Sequence, residues 1–166
     1  MNVLVRDAQP ADLPAIVAIY NSIIPGRTVT ADLEPVTVEA RMPWLQAHDP
    51  ARHPVWVAED DGRIVAWLSF DPFFARQAYD GTAMIAIYVE ESRRHGGLGR
   101  ILLARAIAHA PSIGQRTLLG YIFAHNAPSL QLFAKFGFER WAHLPRVARL
   151  DAVDRDLVIV GKRVAP

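Results

Sequence analysis

Ala83-Met84-Ile85-Ala86-Ile87-Tyr88-Val89-Glu90-Glu91-Ser92-Arg93-Arg94-His95-Gly96-Gly97-Leu98-Gly99-Arg100-Ile101-Leu102-Leu103 divides into three parts. Residues 83–89 form a continuous apolar run rich in β-branched side chains, which suits a strand covered on both faces. Leu103, Ala106, Ile107 and Ala110 recur at helical spacing. Between strand and helix, the glycines leave backbone N–H groups unobstructed, so the turn and the helix N-terminus can donate together to an anion. Arg94 and Arg100 add positive charge. The chemistry that fits this turn is a phosphate-bearing ligand.

Spacing narrows the ligand. A nucleotide P-loop needs Gly-Lys-Ser/Thr at the helix start, whereas this turn ends Gly99-Arg100-Ile101, without the lysine or the metal-binding hydroxyl. A dinucleotide fingerprint needs a third glycine at residue 102, which is leucine.

Length and composition set the remaining bounds. The 166 residues suit a single domain, 1–166, and 51% hydrophobic content supports a compact fold. A formal net charge of +1 with scattered arginines supplies no field for nucleic acid. No apolar run approaches the roughly 18 residues of a membrane helix. The start Met1-Asn2-Val3-Leu4-Val5-Arg6 lacks the regions of a signal peptide, so the expected location is cytoplasmic. Without cysteine there is no disulfide, no thiolate metal site and no acyl-cysteine intermediate, and no metal is expected.

Taken in order, the chain starts with a short strand at Val3-Leu4-Val5. A helix opened by Pro10 follows, with Asp12 in its first turn and Leu13, Ile16, Val17 and Tyr20 on one face. Residues 24–35 read as a long loop, of the kind that borders a site. Thr37 is the expected cap of a second helix, with Pro43 inside it. Val55-Trp56-Val57-Ala58-Glu59 and residues 64–70 read as strands of a hairpin turning at Asp61-Gly62. Phe73, Phe74, Arg76 and Tyr79 fall in a connection, as a lid or a binding wall. Residues 117–123 form another buried strand, ended by His125-Asn126. Asn126 then caps a helix with Leu130, Phe133 and Ala134 on one face, closed by Gly137. Residues 140–144 and 157–160 complete the strands, with a basic stretch from Arg146 to Arg149 read as the connection between them. This order predicts an α/β fold, a mixed α+β sandwich with a parallel crossover near its middle.

Arg94-x-x-Gly97-x-Gly99 followed by Asn126-x-x-Ser129-x-x-Leu132-Phe133-x-x-x-Gly137-Phe138 resembles two motifs of the GCN5-related N-acetyltransferases, in order and at their usual separation. Ala11-Asp12-Leu13-Pro14-Ala15-Ile16, the phrase from Thr37 to Glu59, and Arg76-x-Ala78-Tyr79-Asp80-x-Thr82 are similar to the phosphinothricin and methionine sulfoximine acetyltransferases, a likeness that spans nearly the whole chain. The resemblance implies a central mixed, splayed sheet of about seven strands flanked by about four helices, with acetyl-CoA as co-substrate and a small-molecule amine as acceptor. It also implies a homodimer. Ile87 and Val89, with Tyr88 between them, would bond the pantetheine arm through the backbone, and an N–H near Ile87 would serve as a small oxyanion site. Arg94, His95, Gly96, Gly97, Leu98, Gly99 and Arg100 would hold the pyrophosphate, and Asn126, Ser129 and Phe133 would line the coenzyme.

Two positions depart from the family's pattern. Met84 stands where the branch usually has a glutamate general base, and Phe133 where tyrosine or histidine usually faces the leaving thiolate. Neither side chain moves a proton, a service worth about 10²–10⁴-fold in rate. Asp80, Glu90, His125 and Tyr88 are alternative groups near the site, each with a structural reading: Asp80 in a turn, Glu90 exposed after the strand, His125 at a strand end, Tyr88 facing the core. For the acceptor, Phe74, Arg76, Tyr79 and Met84 are the expected contacts, with Arg76 as first choice to clamp an anionic group and the basic stretch 146–149 as second. Two functions follow: direct acetyl transfer from acetyl-CoA to a primary amine, or a coenzyme-binding module that has lost its chemistry and serves as sensor or accessory subunit.

Overall fold

The computed structural model describes residues 3–166. A seven-stranded mixed sheet runs in the order β1-β2-β3-β4-β5-β7-β6. Its strands are β1 (Val3–Asp7), β2 (Val55–Asp60), β3 (Arg63–Pro72), β4 (Thr82–Val89), β5 (Thr117–Phe123), β6 (Glu139–Leu150) and β7 (Val153–Arg163). All neighbours are antiparallel except β4 and β5, which are parallel and joined by a helical crossover. The helices are α1 (Leu13–Ile23), α2 (Val38–Gln46), α3 (Leu98–His109) and α4 (Ala127–Lys135). Among the described residues the fold is thus the seven-strand, four-helix arrangement that the sequence resemblance implies.

Local chemistry explains where elements begin and end. Pro10 opens a 3-10 turn that passes into α1, and Asp12 there bonds the Arg6 guanidinium at 2.7 and 3.0 Å. Those bonds hold the Asp12 carboxyl below its usual range. Thr37 caps α2 by accepting the Ala40 N–H at 3.1 Å, and the helix continues through Pro43. The β2–β3 turn places Asp61 at φ +50° and Gly62 at φ +76°, the positive pair that a two-residue hairpin requires.

One expectation is corrected. The basic stretch 146–149 is not a connection: β6 runs through it to Leu150, and the reversal comes later, at Asp151-Ala152. β6 is an edge strand, so it tolerates Pro145, and a register shift between Leu144 and Ala148 absorbs Arg146 at φ +50°.

Two cores lie on opposite faces of the sheet. On one, Leu98, Leu102, Leu103 and Ala106 of α3 and Phe133 of α4 pack against Ala83 and Ile85 of β4 and Leu118 and Ile122 of β5. On the other, Leu13, Ile16, Val17 and Tyr20 of α1 and Met42 and Trp44 of α2 pack against Val57, Trp67 and Tyr88. The alternation of β4 side chains between these cores positions everything that follows.

Candidate active site

The parallel pair at the centre of the sheet is short. β4 and β5 share three register positions, Thr82 with Thr117, Ala83 with Leu118 and Met84 with Leu119, and then part. Beyond the vertex, residues 85–89 pair only with β3 and residues 120–123 only with β7. Strand edges left open inside a sheet need hydrogen-bonding partners. An extended chain bearing amide groups would supply them. At the vertex Gly120 leaves room for aromatic packing: a Cβ there would lie 2.8 Å from the Phe133 ring and 3.0 Å from Val160. Phe133 therefore rests directly on β5 at the first residue past the last pair, with Phe138 edge-on behind it at 4.8 Å.

At the open end of β4 the chain makes the glycine turn. Gly97 precedes α3 at φ +84° and His95 sits at φ +64°, and no side chain caps the helix. The first intrahelical bond is Ile101 N–H to Gly97 O at 3.0 Å. The N–H groups of Leu98, Gly99 and Arg100 are left for a ligand. Arg94, His95, Gly96, Gly97 and Arg100 are exposed, while Arg93 is committed to Asp60. Gly99 lets α3 approach α4, since a Cβ there would come within 3.2 Å of Leu132. Asn126 is buried, and its side-chain Oδ1 accepts the Ser129 N–H at 3.2 Å, capping α4. An open slot leading to a turn of free N–H groups flanked by Arg94 and Arg100 fits an extended amide arm ending in a diphosphate.

Across the sheet a different constellation stands. Three cross-strand pairs of β3 and β4 share the face under α1 and α2: Trp67 with Tyr88, Ser69 with Ala86 and Asp71 with Met84. The Trp67 and Tyr88 rings are 4.4 Å apart, and burial drives the Tyr88 hydroxyl well above its ordinary range. Asp71 accepts bonds from His48 Nε2 at 3.1 Å, Trp44 Nε1 at 3.3 Å and Ser69 Oγ at 2.5 Å. His48 Nδ1 lies 2.7 Å from the Trp44 carbonyl, so both ring nitrogens face oxygen acceptors, as suits an imidazolium. Burial pushes His48 down, but the bonds to Asp71 and to the Trp44 carbonyl outweigh it and the net shift is upward. For Asp71, burial pushes up, and the bonds from His48 and Ser69 prevail to hold it below the usual carboxylate range. Nearby, Tyr20 donates to Asp32 and lies 2.5 Å from Thr30, pinning the 24–35 loop to α1; burial and Asp32 raise its hydroxyl to about 12.

The residues singled out in the sequence distribute between these regions. Ile87 and Val89 lie on the open part of β4, whereas Phe133 and Met84 lie at the vertex on opposite faces. Phe74 and Tyr79 are exposed and cluster with Phe73, ring centroids 4.3 to 5.4 Å apart, in the connection that follows Asp71 by two residues. Arg76, in the same connection, forms no ion pair among the described residues. Asp80 is exposed, 4.0 Å from Arg52. Glu90, expected to be exposed, is instead half-buried and bonded to Arg63 and Ser92. His125 is turned away to bond the Arg27 carbonyl at 2.8 Å while stacking on Phe123. Within the basic stretch, Arg149 faces Asp154 at 3.6 Å. The sequence reading missed Asp71, His48, Trp44 and Ser69. The one available signal was an aspartate ending the apolar run of β3 directly before a proline.

Known proteins place this architecture. Residues 16–138 match the family model described as the acetyltransferase (GNAT) family. The chain is 48% identical over 161 residues to the Bacillus subtilis protein YwnH, whose name provisionally calls it a phosphinothricin acetyltransferase, with 96% of this chain and 98% of that one covered. It is 32% identical over 172 residues to the L-methionine sulfoximine/L-methionine sulfone acetyltransferase of Pseudomonas paraeruginosa, covering both chains completely. A solved structure of YncA from Salmonella typhimurium with its cofactor acetyl-CoA superposes with a TM-score of 0.91 at 27% identity, over 99% of this chain and 95% of that one.

Proposed function

The chain belongs to the acetyltransferase (GNAT) family, and on that premise we propose that it moves an acetyl group directly from acetyl-CoA to the primary amine of a small amino acid analogue. The observation that carries the reading is the opening of the sheet past Met84. Acetyl-CoA supplies an activated acyl carbon bound to a good leaving thiolate. Backbone groups of Ile87 and Val89 hold the amide arm, the N–H groups of residues 98–100 with Arg94 and Arg100 take the diphosphate, and an N–H near Ile87 meets the developing oxyanion. Orientation of two reactants in one slot provides a large share of the rate without a dedicated base. Met84 and Phe133 leave the titrating positions of the branch empty of proton carriers. The whole chain acts as one acetyltransferase domain, with a homodimer and a cytoplasmic location as working expectations.

Relatives named for phosphinothricin and methionine sulfoximine make amino-acid-like amines the first substrates to try. Met84 stands as an apolar side chain where the resemblance expects a negative group, so the acceptor should be less polar than those two. The paired loss at Met84 and Phe133 also favours a second reading, a coenzyme-binding module with weak or no catalysis. The deciding experiment measures release of free CoA across a panel of amines and amino acid analogues, alongside the melting temperature with saturating acetyl-CoA. Turnover of at least one amine together with a stabilising shift supports the transferase. A shift without turnover of any amine supports the module. Absence of any shift removes both.

A further inference from the structure

We propose that Asp71, braced by His48 and Trp44, is the carboxylate that receives the acceptor's amino group, a site moved one strand over from the position that Met84 occupies. The inference rests on the transferase reading above and specifies its acceptor half.

Asp71 lies directly opposite Met84 in the antiparallel β3–β4 register, so both side chains leave the sheet on the same face. Met84 is the last β4 residue paired with β5, which puts this couple at the vertex where the sheet opens. A carboxylate offers about four lone-pair positions. Asp71 fills three, with the bonds from His48, Trp44 and Ser69. Its side chain stays 25% exposed, while that of His48 behind it is 7% exposed. The histidine is sealed in and the carboxylate keeps one free edge. Other titratable groups in its field are His53 and Tyr88. Phe73, two residues along the chain from Asp71, begins the aromatic cluster with Phe74 and Tyr79, and on the proposal that cluster takes the apolar body of the amine.

A carboxylate whose charge is matched by an imidazolium is a poor proton acceptor and a good hydrogen-bond acceptor. The neutral amine donates an N–H to Asp71 while its lone pair points at the acyl carbon. As the C–N bond forms and the C–S bond breaks, positive charge appears on nitrogen and this bond strengthens. The surplus amine proton leaves to water, and the departing thiolate takes one up. Asp71 orients and stabilises. It does not titrate in the step.

The test uses Asp71→Asn and the double variant Asp71→Asn with Met84→Glu, which returns a carboxylate to the facing position. Acceptors are methionine sulfoximine and a series of simple alkylamines. Asp71→Asn should raise the acceptor KM by about tenfold to a hundredfold, the worth of one charge-assisted bond, with a smaller fall in kcat. The rising limb of the pH profile should still follow each amine's own ionisation. Acetyl-CoA affinity by calorimetry should be unchanged, and the double variant should recover acceptor binding. An unchanged acceptor KM in Asp71→Asn overturns the proposal. So does a loss shared equally by acceptor, coenzyme and melting temperature without recovery on adding Met84→Glu, which marks a purely structural role. If the wild-type protein turns over none of the amines, the transferase reading has failed, and Asp71 is judged by calorimetry of the same amines on the CoA-loaded protein. Amine binding that Asp71→Asn removes sustains the site, and absence of binding to the wild type rejects it.

Discussion

The two sides of the opening between β4 and β5 are built from different materials. On the α3 side the half proposed for the coenzyme is almost entirely backbone: an unpaired strand edge, a left-handed Gly97 and the first N–H groups of a helix. On the α2 side the half proposed for the acceptor is made of side chains, Trp44 from α2, His48 from the segment just after it, Ser69 and Asp71 from β3 and Met84 from β4. A site made of main chain constrains sequence through glycine and spacing, so its ligand is common to a family. One made of side chains can move a carboxylate from one strand to the next while the fold stays the same.

Breaking the backbone half should have the largest effect. At Gly97 a Cβ would meet nothing within 4 Å, so substitution acts through the +84° φ and not through a clash. Gly97→Val, strained there by about 1–3 kcal/mol, should weaken acetyl-CoA binding about tenfold to a hundredfold by calorimetry. Gly97→Asn, which tolerates the left-handed region, should cost much less. Equal losses for the two would show that the turn's conformation is not what binds. The vertex comes next. Gly120→Ala forces a Cβ against the Phe133 ring and Val160, and should lower stability by about 1–3 kcal/mol in denaturant titration. Combining it with Phe133→Leu should return part of that loss.

These two glycines also mark what could be read from the chain. The turn at residues 94–100 and the cap at Asn126 are local, so short motifs reveal them, and hydrophobic period and hairpin chemistry gave strands and helices with little error. Arg146 was misplaced because a strand that crosses a proline and a bulge at a sheet edge does not look like a strand in sequence. Asp71 and His48 were missed for a deeper reason. They are separated by 23 positions, and only the tertiary fold that lays the segment after α2 against the end of β3 brings them to 3.1 Å. No periodicity in either segment encodes that meeting.

The brace behind Asp71 should show itself in pH dependence. His48 has a raised pKa in the folded protein, so its contribution is fully present below its unfolded value of about 6.5 and is lost as pH rises through the folded value. Asp71 is held low, so its contribution is present above about 3.9 and is lost as pH falls through the folded value. The stability gap between the wild-type protein and His48→Gln should therefore be widest between about pH 4 and 6.5, on the order of 1 kcal/mol, and narrow on the alkaline side. A gap that stays constant from pH 5 to 9 would show that His48 acts by packing alone. Acetyl-CoA affinity should not follow this variant, which separates the two halves of the site a second time.

The smallest effect expected is at the position where the halves touch. Phe133 belongs to the core of the α3 and α4 face, yet its ring lies on Gly120 at the vertex, across the sheet from Met84. Phe133→Tyr adds one hydroxyl without changing the ring. If leaving-group protonation limits the rate, the new hydroxyl should raise kcat by up to about tenfold, below the about 10²–10⁴-fold of an evolved general acid because nothing around it has been arranged to tune its pKa. The KM for acetyl-CoA should hold steady, since the strand edges and the turn are untouched. Single-turnover release of CoA from preloaded protein gives the cleanest measurement, because it isolates the chemical step from product departure. A rate unchanged by the hydroxyl would place the slow step at attack of the amine, on the Asp71 side of the vertex. A falling rate would mean that Phe133 is needed there as an apolar wall that keeps water from the thioester.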